Sequence, residues 1–424
     1  MTIIEQGLIS PRLFALKREL ESGNGAALEA FWQEIAERGT PLIEPIGNEE
    51  RTMLVTFLWR AVEPIKNVVV TGTLAGMLDG WSYAKSQMAR LLDTDLWYKS
   101  YEVPADVRTT YHLSPNDSLV EIADVEDWGE RTATFQVDPL NPRRFFLQAD
   151  EEGGDEEEVL SVLEMPNAPP QPWITSHPGI PAGQVELQRL RSAILNNERR
   201  VWVYTPPGYT AGGTPYDLLI LFDGMAYTNE IPTPTILDNL LAEGHLPPLV
   251  AVMLCSLDGE TRERELACYP PFVEFLTDEL LPWLHARYHI TTNPARTIIG
   301  GSSYGGLAAT FAALSRADVF GNVLSQSGSA WWVPDDDTDF EWIARQFMDR
   351  EQLPIRFYLD VGLLENHNRP SDAGPSQLAS TRHLRNVLRA RGYEVDYAEF
   401  NGSHTYLCWR GTLADGLLAL ARNP

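Results

Sequence analysis

The chain has 424 residues, 44% of them hydrophobic and 10% aromatic, which is an ordinary globular composition and long enough for two domains. Its formal net charge of −26 argues against nucleic acid or an anionic membrane as a partner. No apolar run of roughly 18 residues, no secretory signal and no disulfide framework are found, so we expect a reducing compartment, the cytoplasm.

The first part of the chain predicts a mainly β domain. Helices are predicted at 10–22 and 25–38, and short β-like runs follow them. Short strands with frequent turns favour an antiparallel sandwich, so we predict a sandwich-like N-terminal domain at 1–165 that assists substrate binding. The predicted strands are 51–59, 67–72, 96–103 and 109–113.

A charged run and a proline-rich stretch separate this domain from the rest. Residues 150–158 hold seven acids in nine positions, a pattern typical of a solvated loop. Prolines concentrate at 166–181, and we predict a linker at 166–184.

From residue 185 to 424 the pattern predicts an α/β domain. A hairpin is predicted at 186–204, with Asn196-Asn197 at its turn. Continuous apolar strands alternate with helical segments beyond it, which indicates a mostly parallel, doubly wound sheet covered on both faces. The predicted strands are 217–222, 249–254, 296–300, 322–326, 355–361 and 394–400.

One sequence motif in this domain predicts a catalytic residue. Gly301-Ser302-Ser303-Tyr304-Gly305 follows the apolar run 297–299 and precedes a helical segment at 306–312. Strand, tight turn and helix form the context of a nucleophile elbow, with glycines where a side chain would collide with the neighbouring strand and helix. The sequence predicts an α/β-hydrolase in which Ser303 is the nucleophile and acyl transfer passes through an acyl-serine.

A serine nucleophile needs a base and an acid that orients the base. His404 lies directly after the last predicted strand, where the order Ser, acid, His places the base. The acid should follow the strand 355–361, and Glu365, on the loop beyond it, is preferred to Asp360, which lies inside the strand.

The oxyanion hole needs two N–H donors. One is predicted to be the backbone of Tyr304, directly after the nucleophile. The other should come from the loop after the strand 217–222, where we predict Met225, with Gly224 as the alternative.

Several segments resemble the enterochelin (ferric enterobactin) esterases of the esterase-D-like α/β-hydrolases, and the similarity covers most of the chain. The sequence departs from that family at Ser403 and Thr405, where the family usually has Gly and Asp. The segments that carry the resemblance are Phe57-Leu58-Trp59-Arg60, Asp138-Pro139-Leu140-Asn141-Pro142, Leu163-Glu164-Met165-Pro166, Leu221-Phe222-Asp223-Gly224, the Arg-x-x-Glu-Leu segment at 262–266, the elbow at 300–307, the segment 323–329 and Cys408-Trp409-Arg410-Gly411 after Ser403-His404.

The resemblance implies hydrolysis of the ester bonds in a cyclic trilactone that carries three catecholamides, usually with Fe(III) bound, and it maps the triad acid onto Glu365. No metal or other cofactor is expected, because the iron belongs to the substrate. A ferric tris-catecholate is a bulky trianion with flat faces, so its site should hold guanidinium groups and aromatic walls against the global negative charge. The candidate substrate-binding residues are Arg60, Arg262, Arg264, Arg410, Trp331 and Trp332.

Two other functions fit parts of the sequence. One is a carboxylesterase on feruloyl or other acyl esters, with a carbohydrate-binding N-terminal domain that uses Trp59, Trp81 and Trp97 as stacking faces. The other is a siderophore-binding protein on a decayed hydrolase scaffold, which the presence of Ser303 and His404 disfavours.

Overall fold

The computed structural model describes residues 9–47, 49–367 and 374–421, and the chain divides into two compact units. The first comprises Met1–Phe146, Val159–Pro169 and Asn401–Ser403, and the second comprises Leu147–Glu158, Pro170–Phe400 and His404–Pro424. The division at Pro169 falls inside the predicted linker. The acidic run lies with the second unit, where Asp150 is ion-paired with Arg200.

Among the described residues, the first unit contains four α-helices and two four-stranded sheets. Ser10 caps the first helix by accepting from the N–H of Leu13, and the first two helices bury Leu16 and Phe31 against one sheet. Phe57 of that sheet packs edge to face on Tyr111 of the other, with ring centroids 4.7 Å apart, as a sandwich requires.

Both predicted helices of this unit are present. The helices are α1 Pro11–Glu21, α2 Ala27–Arg38, α3 Thr73–Asp79 and α4 Trp128–Thr132. The strands are β1 Leu42–Ile46, β2 Glu49–Arg60, β3 Val68–Thr71, β4 Ala89–Arg90, β5 Leu96–Pro104, β6 Arg108–Pro115, β7 Arg144–Leu147 and β8 Glu158–Glu164, in the orders β1-β2-β5-β4 and β3-β6-β8-β7.

The second unit is built on an eight-stranded sheet that begins with the predicted hairpin. Its strands are β9 Gln184–Ser192, β10 Asn197–Thr205, β11 Asp217–Phe222, β12 Leu249–Leu254, β13 Thr297–Ser302, β14 Asn322–Gln326, β15 Arg356–Gly362 and β16 Glu394–Phe400. Their order is β16-β15-β14-β13-β11-β12-β10-β9; the pairings from β16 to β12 are parallel, and β10 pairs antiparallel with β12 and β9.

Both faces of this sheet are covered by helices. Within β11, Leu218 and Ile220 belong to one buried cluster and Leu219 and Leu221 to the other, which explains why the strand is apolar throughout. The helices are α5 Thr233–Ala242, α6 Gly259–Leu266, α7 Pro270–Glu274, α8 Leu281–His285, α9 Tyr304–Ser315, α10 Trp342–Met348, α11 Gln377–Ala390 and α12 Tyr406–Ala421, with a π-helical segment Phe275–Leu280 joining α7 to α8.

The parallel arrangement determines where the candidate residues meet. Because the carboxyl ends of parallel strands lie at one edge of the sheet, the loops after β11, β13, β14, β15 and β16 share that edge. Among the helices of the described residues, none has the length and apolar character needed to cross a membrane.

Candidate active site

Ser303 occupies the turn between β13 and α9, as the elbow prediction requires. Its backbone has φ 56° and ψ −123°, a conformation that few residues other than glycine adopt. Three backbone hydrogen bonds hold this turn: the Ser303 N–H donates to the Gln326 carbonyl at 3.0 Å, and the N–H groups of Ser329 and Leu307 donate to the Ser303 carbonyl at 3.0 and 3.2 Å. The rigid end of β14 therefore fixes the nucleophile's backbone.

The glycines around Ser303 differ in how much room a side chain would have at each position. A Cβ at Gly301 would lie 2.9 Å from the carbonyl carbon of Gly305, so this position requires glycine. At Gly305 the nearest atom would be Phe222 Cβ at an ordinary 3.4 Å, so the predicted collision at this second glycine is wrong. The tighter position is Gly306, where a Cβ would meet Ser325 Oγ at 2.5 Å.

The loops after β15 and β16 bring an acid to a histidine. His404 Nδ1 lies 2.6 Å from Glu365 Oε2, and the Glu365 side chain is only 2% exposed. Glu365 Oε1 accepts hydrogen bonds from Ser327 Oγ at 2.7 Å and from the Gly362 N–H at 2.8 Å. These contacts orient the imidazole so that its second nitrogen is the one left for substrate chemistry.

Asp360, the alternative acid, lies in β15 and is fully buried. Its Oδ1 accepts from the Ser327 N–H at 3.1 Å, and its contacts do not include His404. Burial raises the pKa of Asp360 to about 8, with the Glu365 charge acting in the same direction and a Thr412 hydrogen bond opposing both. Asp360 is therefore mostly neutral at pH 7, and Glu365 is the carboxylate that faces the histidine.

Ser303 and His404 lie at the same edge of the sheet without a hydrogen bond between them. Among the described residues, the hydrogen-bond partner of Ser303 Oγ is Ser329 Oγ, at 3.5 Å. Nucleophile–base hydrogen bonds are often long in unliganded enzymes and shorten when substrate binds.

The loop after β11 supplies the predicted oxyanion segment. The Gly224 N–H donates to the Leu254 carbonyl at 3.0 Å, so this alternative donor is already occupied. The assignment of the second donor to Met225, whose N–H lies against the Cys255 sulfur, stays a prediction. A Cβ at Gly224 would lie 2.6 Å from the Met253 carbonyl oxygen, which is why glycine stands there. Tyr304 begins α9, so its N–H lies at the positive end of that helix.

Arg262 was predicted to bind substrate, but its guanidinium is committed to this loop. Its Nε and Nη2 donate to the two carboxylate oxygens of Asp223 at 2.6 and 2.7 Å. Asp223 has φ 56° and precedes Gly224, so the bidentate pair clamps the start of the oxyanion segment.

The other predicted guanidinium groups also have partners. Arg264 is about half exposed and lies 3.8 Å from Glu265, and Arg410 Nε donates to Gln171 Oε1 at 2.7 Å. Arg60 lies in the first unit, where it donates to Asp95 and Glu29 at 2.9 and 2.7 Å. None of these contacts identifies an anion site, so their roles toward substrate stay predictions.

The two tryptophans after β14 have different surroundings. Trp331 lies beside Tyr304, with ring centroids 6.0 Å apart, and its indole N–H donates to Gln377 Oε1 at 2.7 Å. Trp332 packs edge to face on Trp342 at 5.9 Å and against the core. Trp331 is therefore the better candidate for an aromatic wall, and Trp332 has a packing role.

The two departures from the family pattern have local roles. Ser403 is buried and shares a 2.7 Å hydrogen bond with Thr109 in the first unit. Thr405 accepts from the N–H groups of Cys408 and Trp409 through its carbonyl, which starts α12. Sequence reasoning assigned no role to Ser327 or Trp409, although both lie in segments quoted for the resemblance.

A cleft of about 710 Å³ adjoins the oxyanion segment and lies within the second unit. We call it the acidic cleft, because eight of its lining residues are acidic and one, Arg262, is basic. Burial raises the pKa values of Asp155 and Glu230, and neighbouring carboxylates add to both shifts. The acids are Asp150, Asp155, Glu156, Glu157, Glu158, Asp223, Glu230 and Asp258.

The lining of the acidic cleft differs from the site of local arginines that the sequence predicts. Its one guanidinium is paired with Asp223, and Arg200 pairs with Asp150, so a trianion entering this cleft would meet a net negative charge.

Known proteins resemble the chain across both units. A family model described as "Putative esterase" matches residues 192–420, and one described as "Enterochelin esterase, N-terminal" matches residues 54–174. The iron(III) enterobactin esterase of Dickeya dadantii (strain 3937) is 32% identical over 94% of each chain, and the iron(III) salmochelin esterase of Escherichia coli O6:H1 is 27% identical over 95% of this chain and 96% of the relative.

Solved structures of enterobactin esterases are also similar to the chain over most of its length. The ferric enterobactin esterase of Salmonella typhimurium has a TM-score of 0.75 at 28% identity, covering 92% of this chain and 98% of that one. The enterobactin esterase of Shigella flexneri, crystallised in the presence of enterobactin, has a TM-score of 0.72 at 28% identity, covering 92% and 97%. The predicted α/β-hydrolase fold with a mainly β N-terminal domain is confirmed. The chain belongs to the enterochelin (iron(III) enterobactin) esterase family.

Proposed function

We propose that the chain hydrolyses the ester bonds of an enterobactin-like trilactone, a cyclic catecholate siderophore, by a serine-esterase route that helps to release iron. Membership of the esterase family supports the reaction and the substrate class. The observation that carries the chemistry is the 2.6 Å contact between His404 and Glu365 at the sheet edge that also bears the Ser303 elbow.

In the proposed reaction, Ser303 Oγ attacks a lactone carbonyl while His404 Nε2 takes its proton. Glu365 holds the Nδ1–H and stabilises the imidazolium. The N–H groups of Tyr304 and Met225 bind the oxyanion. Collapse of the tetrahedral intermediate breaks the ester C–O bond, and His404 protonates the departing alkoxide, which opens the ring.

Water completes the cycle. His404 takes a proton from a water molecule as that water attacks the acyl-serine carbonyl, and Ser303 leaves with the proton returned by His404. The products are a carboxylic acid and the free enzyme. The nucleophile in this route is the Ser303 hydroxyl, and iron enters and leaves as part of the substrate.

We further propose that the reaction takes place in the cytoplasm. Cys255, Cys268 and Cys408 are all buried and none forms a disulfide, which is typical of a chain that folds in a reducing compartment.

The direct test is product analysis. We expect the chain to convert iron-free and iron-loaded catecholate trilactones into linear and smaller fragments, each cleavage adding the mass of one water, as measured by liquid chromatography and mass spectrometry. Ser303→Ala should bind the ligand without cleaving it. A chain that cleaves a feruloyl sugar ester and leaves the trilactone intact would overturn the proposed substrate. Failure of a fluorophosphonate to label Ser303 would overturn the serine route.

A further inference from the structure

We propose that Ser327 and Trp409 are positioning residues that hold the Glu365 carboxylate and, through it, the His404 imidazole. The inference rests on the proposed serine-esterase function. It concerns two residues outside the Ser303, His404 and Glu365 set: Ser327 contacts Glu365, and Trp409 contacts Ser327 and the His404 ring.

The chemistry of the groups determines the direction of each hydrogen bond. Trp409 Nε1 is a donor only, so at 3.1 Å it donates to Ser327 Oγ. The Ser327 hydroxyl has one proton, which it donates to Glu365 Oε1 at 2.7 Å. The chain of donors therefore runs from Trp409 through Ser327 to Glu365.

The backbone of Ser327 is fixed as tightly as its side chain. The residue is fully buried, with φ 45°, directly after β14. Its N–H donates to the carbonyl of Asp360 at 2.9 Å and lies 3.1 Å from Asp360 Oδ1. A residue held in this region of φ needs such support from its surroundings, and here the support aims the hydroxyl at Glu365.

A carboxylate as buried as Glu365 needs hydrogen-bond donors in place of the water it has lost. Within the described part of the chain three donors serve it: Ser327 Oγ, the Gly362 N–H and His404 Nδ1. The titratable groups around it are Asp360 on β15 and His404, and Asp415 on α12 acts on Asp360. Of these three donors, the Ser327 hydroxyl is the side-chain group that is not itself titratable.

Trp409 contacts both Ser327 and His404. Its ring packs edge to face on the His404 ring, with centroids 4.7 Å apart and planes at 83°, while its N–H serves Ser327. The Trp409 carbonyl accepts from Gln326 Nε2 at 2.8 Å, so the last residue of β14 anchors the tryptophan. Gln326 Oε1 in turn accepts from the Tyr227 hydroxyl at 2.7 Å, which links the histidine side to the loop that carries Met225.

The test measures the pH dependence of Ser303 labelling by a small fluorophosphonate, together with trilactone turnover. Ser327→Ala should slow both by about 10- to 100-fold, the range for losing one hydrogen bond to a charged group. It should also move the acidic limb of the profile to higher pH, because a Glu365 charge with one donor fewer attracts the His404 proton more strongly. Trp409→Phe should shift the same limb by less, and Ser327→Cys, which keeps a weak donor, should recover part of the rate.

Matched controls separate positioning from packing. Ser192 is a buried serine at the end of the outermost strand β9 that donates to Glu279, and Trp342 is a partly buried tryptophan on α10. Ser192→Ala and Trp342→Phe should leave the pH profile unchanged.

The inference is overturned if Ser327→Ala labels and turns over within about two-fold of the wild-type rates and the acidic limb of its pH profile does not move. It is also overturned if the loss of rate is no larger than the loss of folded protein measured by circular dichroism. Labelling does not depend on the siderophore, so a failed substrate proposal leaves the inference testable. A wild-type chain that neither labels nor hydrolyses contradicts both.

Discussion

The two sides of the candidate site are built in opposite ways. On the side of Glu365 and His404, the buried side chains of Glu365, Ser327 and Trp409 are joined by hydrogen bonds to one another, and Glu365 holds the more exposed His404. Beside the oxyanion segment, the acidic cleft is open and lined by carboxylates from Leu147–Glu158, a segment that precedes the linker. From this contrast we expect the rate of the reaction to depend on the hydrogen-bond network around Glu365, and the choice of substrate to depend on the charge of the acidic cleft.

The largest expected effects concern the nucleophile and base. Ser303→Ala and His404→Ala should each lower kcat by about four orders of magnitude or more, because the two groups act as a unit. The double variant should lose no more than either single variant, measured by single-turnover hydrolysis. Additive losses would mean that the two side chains act independently.

Glu365 and its buried neighbour Asp360 provide a matched pair of carboxylate-to-amide variants. Glu365→Gln should lower kcat by about 10²- to 10⁴-fold, since an amide cannot hold the required histidine tautomer. Asp360→Asn should cost less than about ten-fold at pH 7, because the pKa of Asp360, about 8, already keeps most of it neutral there. If the Asp360 variant were the more damaged, as judged by kcat against pH, the acid assignment would be reversed.

The Asp360 carboxyl also predicts a stability effect whose sign follows from its pKa. Its folded pKa of about 8 exceeds the unfolded value of about 3.9, so the folded state binds the extra proton and loses stability as pH rises between these values. Asp360→Asn should flatten this decline in urea unfolding measured from pH 5 to 9. An unchanged slope would contradict a neutral Asp360.

On the other side of the site, Arg262 should matter through the loop it clamps. Arg262→Ala leaves the buried Asp223 carboxylate without its partner, and a displaced Met225 N–H should lower kcat by roughly 10- to 100-fold. Arg262→Lys should recover little, because an ammonium cannot make the bidentate pair. Arg316→Ala, which removes a bidentate pair with Asp318 just after α9 and outside the site, serves as the control and should change kcat less than about two-fold.

The smallest expected effect tests the acidic cleft itself. Neutralising Glu156, Glu157 and Glu158 to Gln should raise kcat/KM for a ferric trianion by a few-fold and leave the uncharged, iron-free ligand unaffected. Added salt should reduce the difference, since the repulsion is screened within roughly 10 Å at 0.1 M.

A charge-matched control makes that result specific. Neutralising Glu274, Asp278 and Asp349, three exposed acids that do not line the cleft, changes net charge equally. This variant should leave the ratio of ferric to iron-free rates at the wild-type value. An equal gain in both variants would assign the effect to net charge and not to the cleft.

The sequence predicted the fold of the second unit closely because its signals are local. The strands β11, β12, β14 and β16 have the predicted bounds, since each is an apolar or alternating run ended by turn residues. Ser303 and His404 were predicted from the same kind of signal, a residue directly after a strand. Glu365 was preferred to Asp360 because it lies beyond the strand end, which is where the contact with His404 forms.

The features that sequence reasoning missed are long-range contacts. The hydrogen bond from Trp409 to Ser327 joins residues 82 positions apart, and the ion pair of Arg262 with Asp223 joins residues 39 positions apart. Neither contact produces a periodic pattern in the sequence. The acidic run 150–158 was predicted as a solvated loop because a charge run carries no information about which surface it covers. Its place beside Met225 follows only from the tertiary structure.

The most direct test of the serine route is to trap the acyl-enzyme. Rapid acid quenching during trilactone hydrolysis, followed by peptide mass spectrometry, should show a siderophore-derived acyl group on the peptide that contains Ser303, present in Glu365→Gln and absent in Ser303→Ala. An acyl group on another residue would contradict the serine route. So would hydrolysis of the trilactone by Ser303→Ala at the wild-type rate.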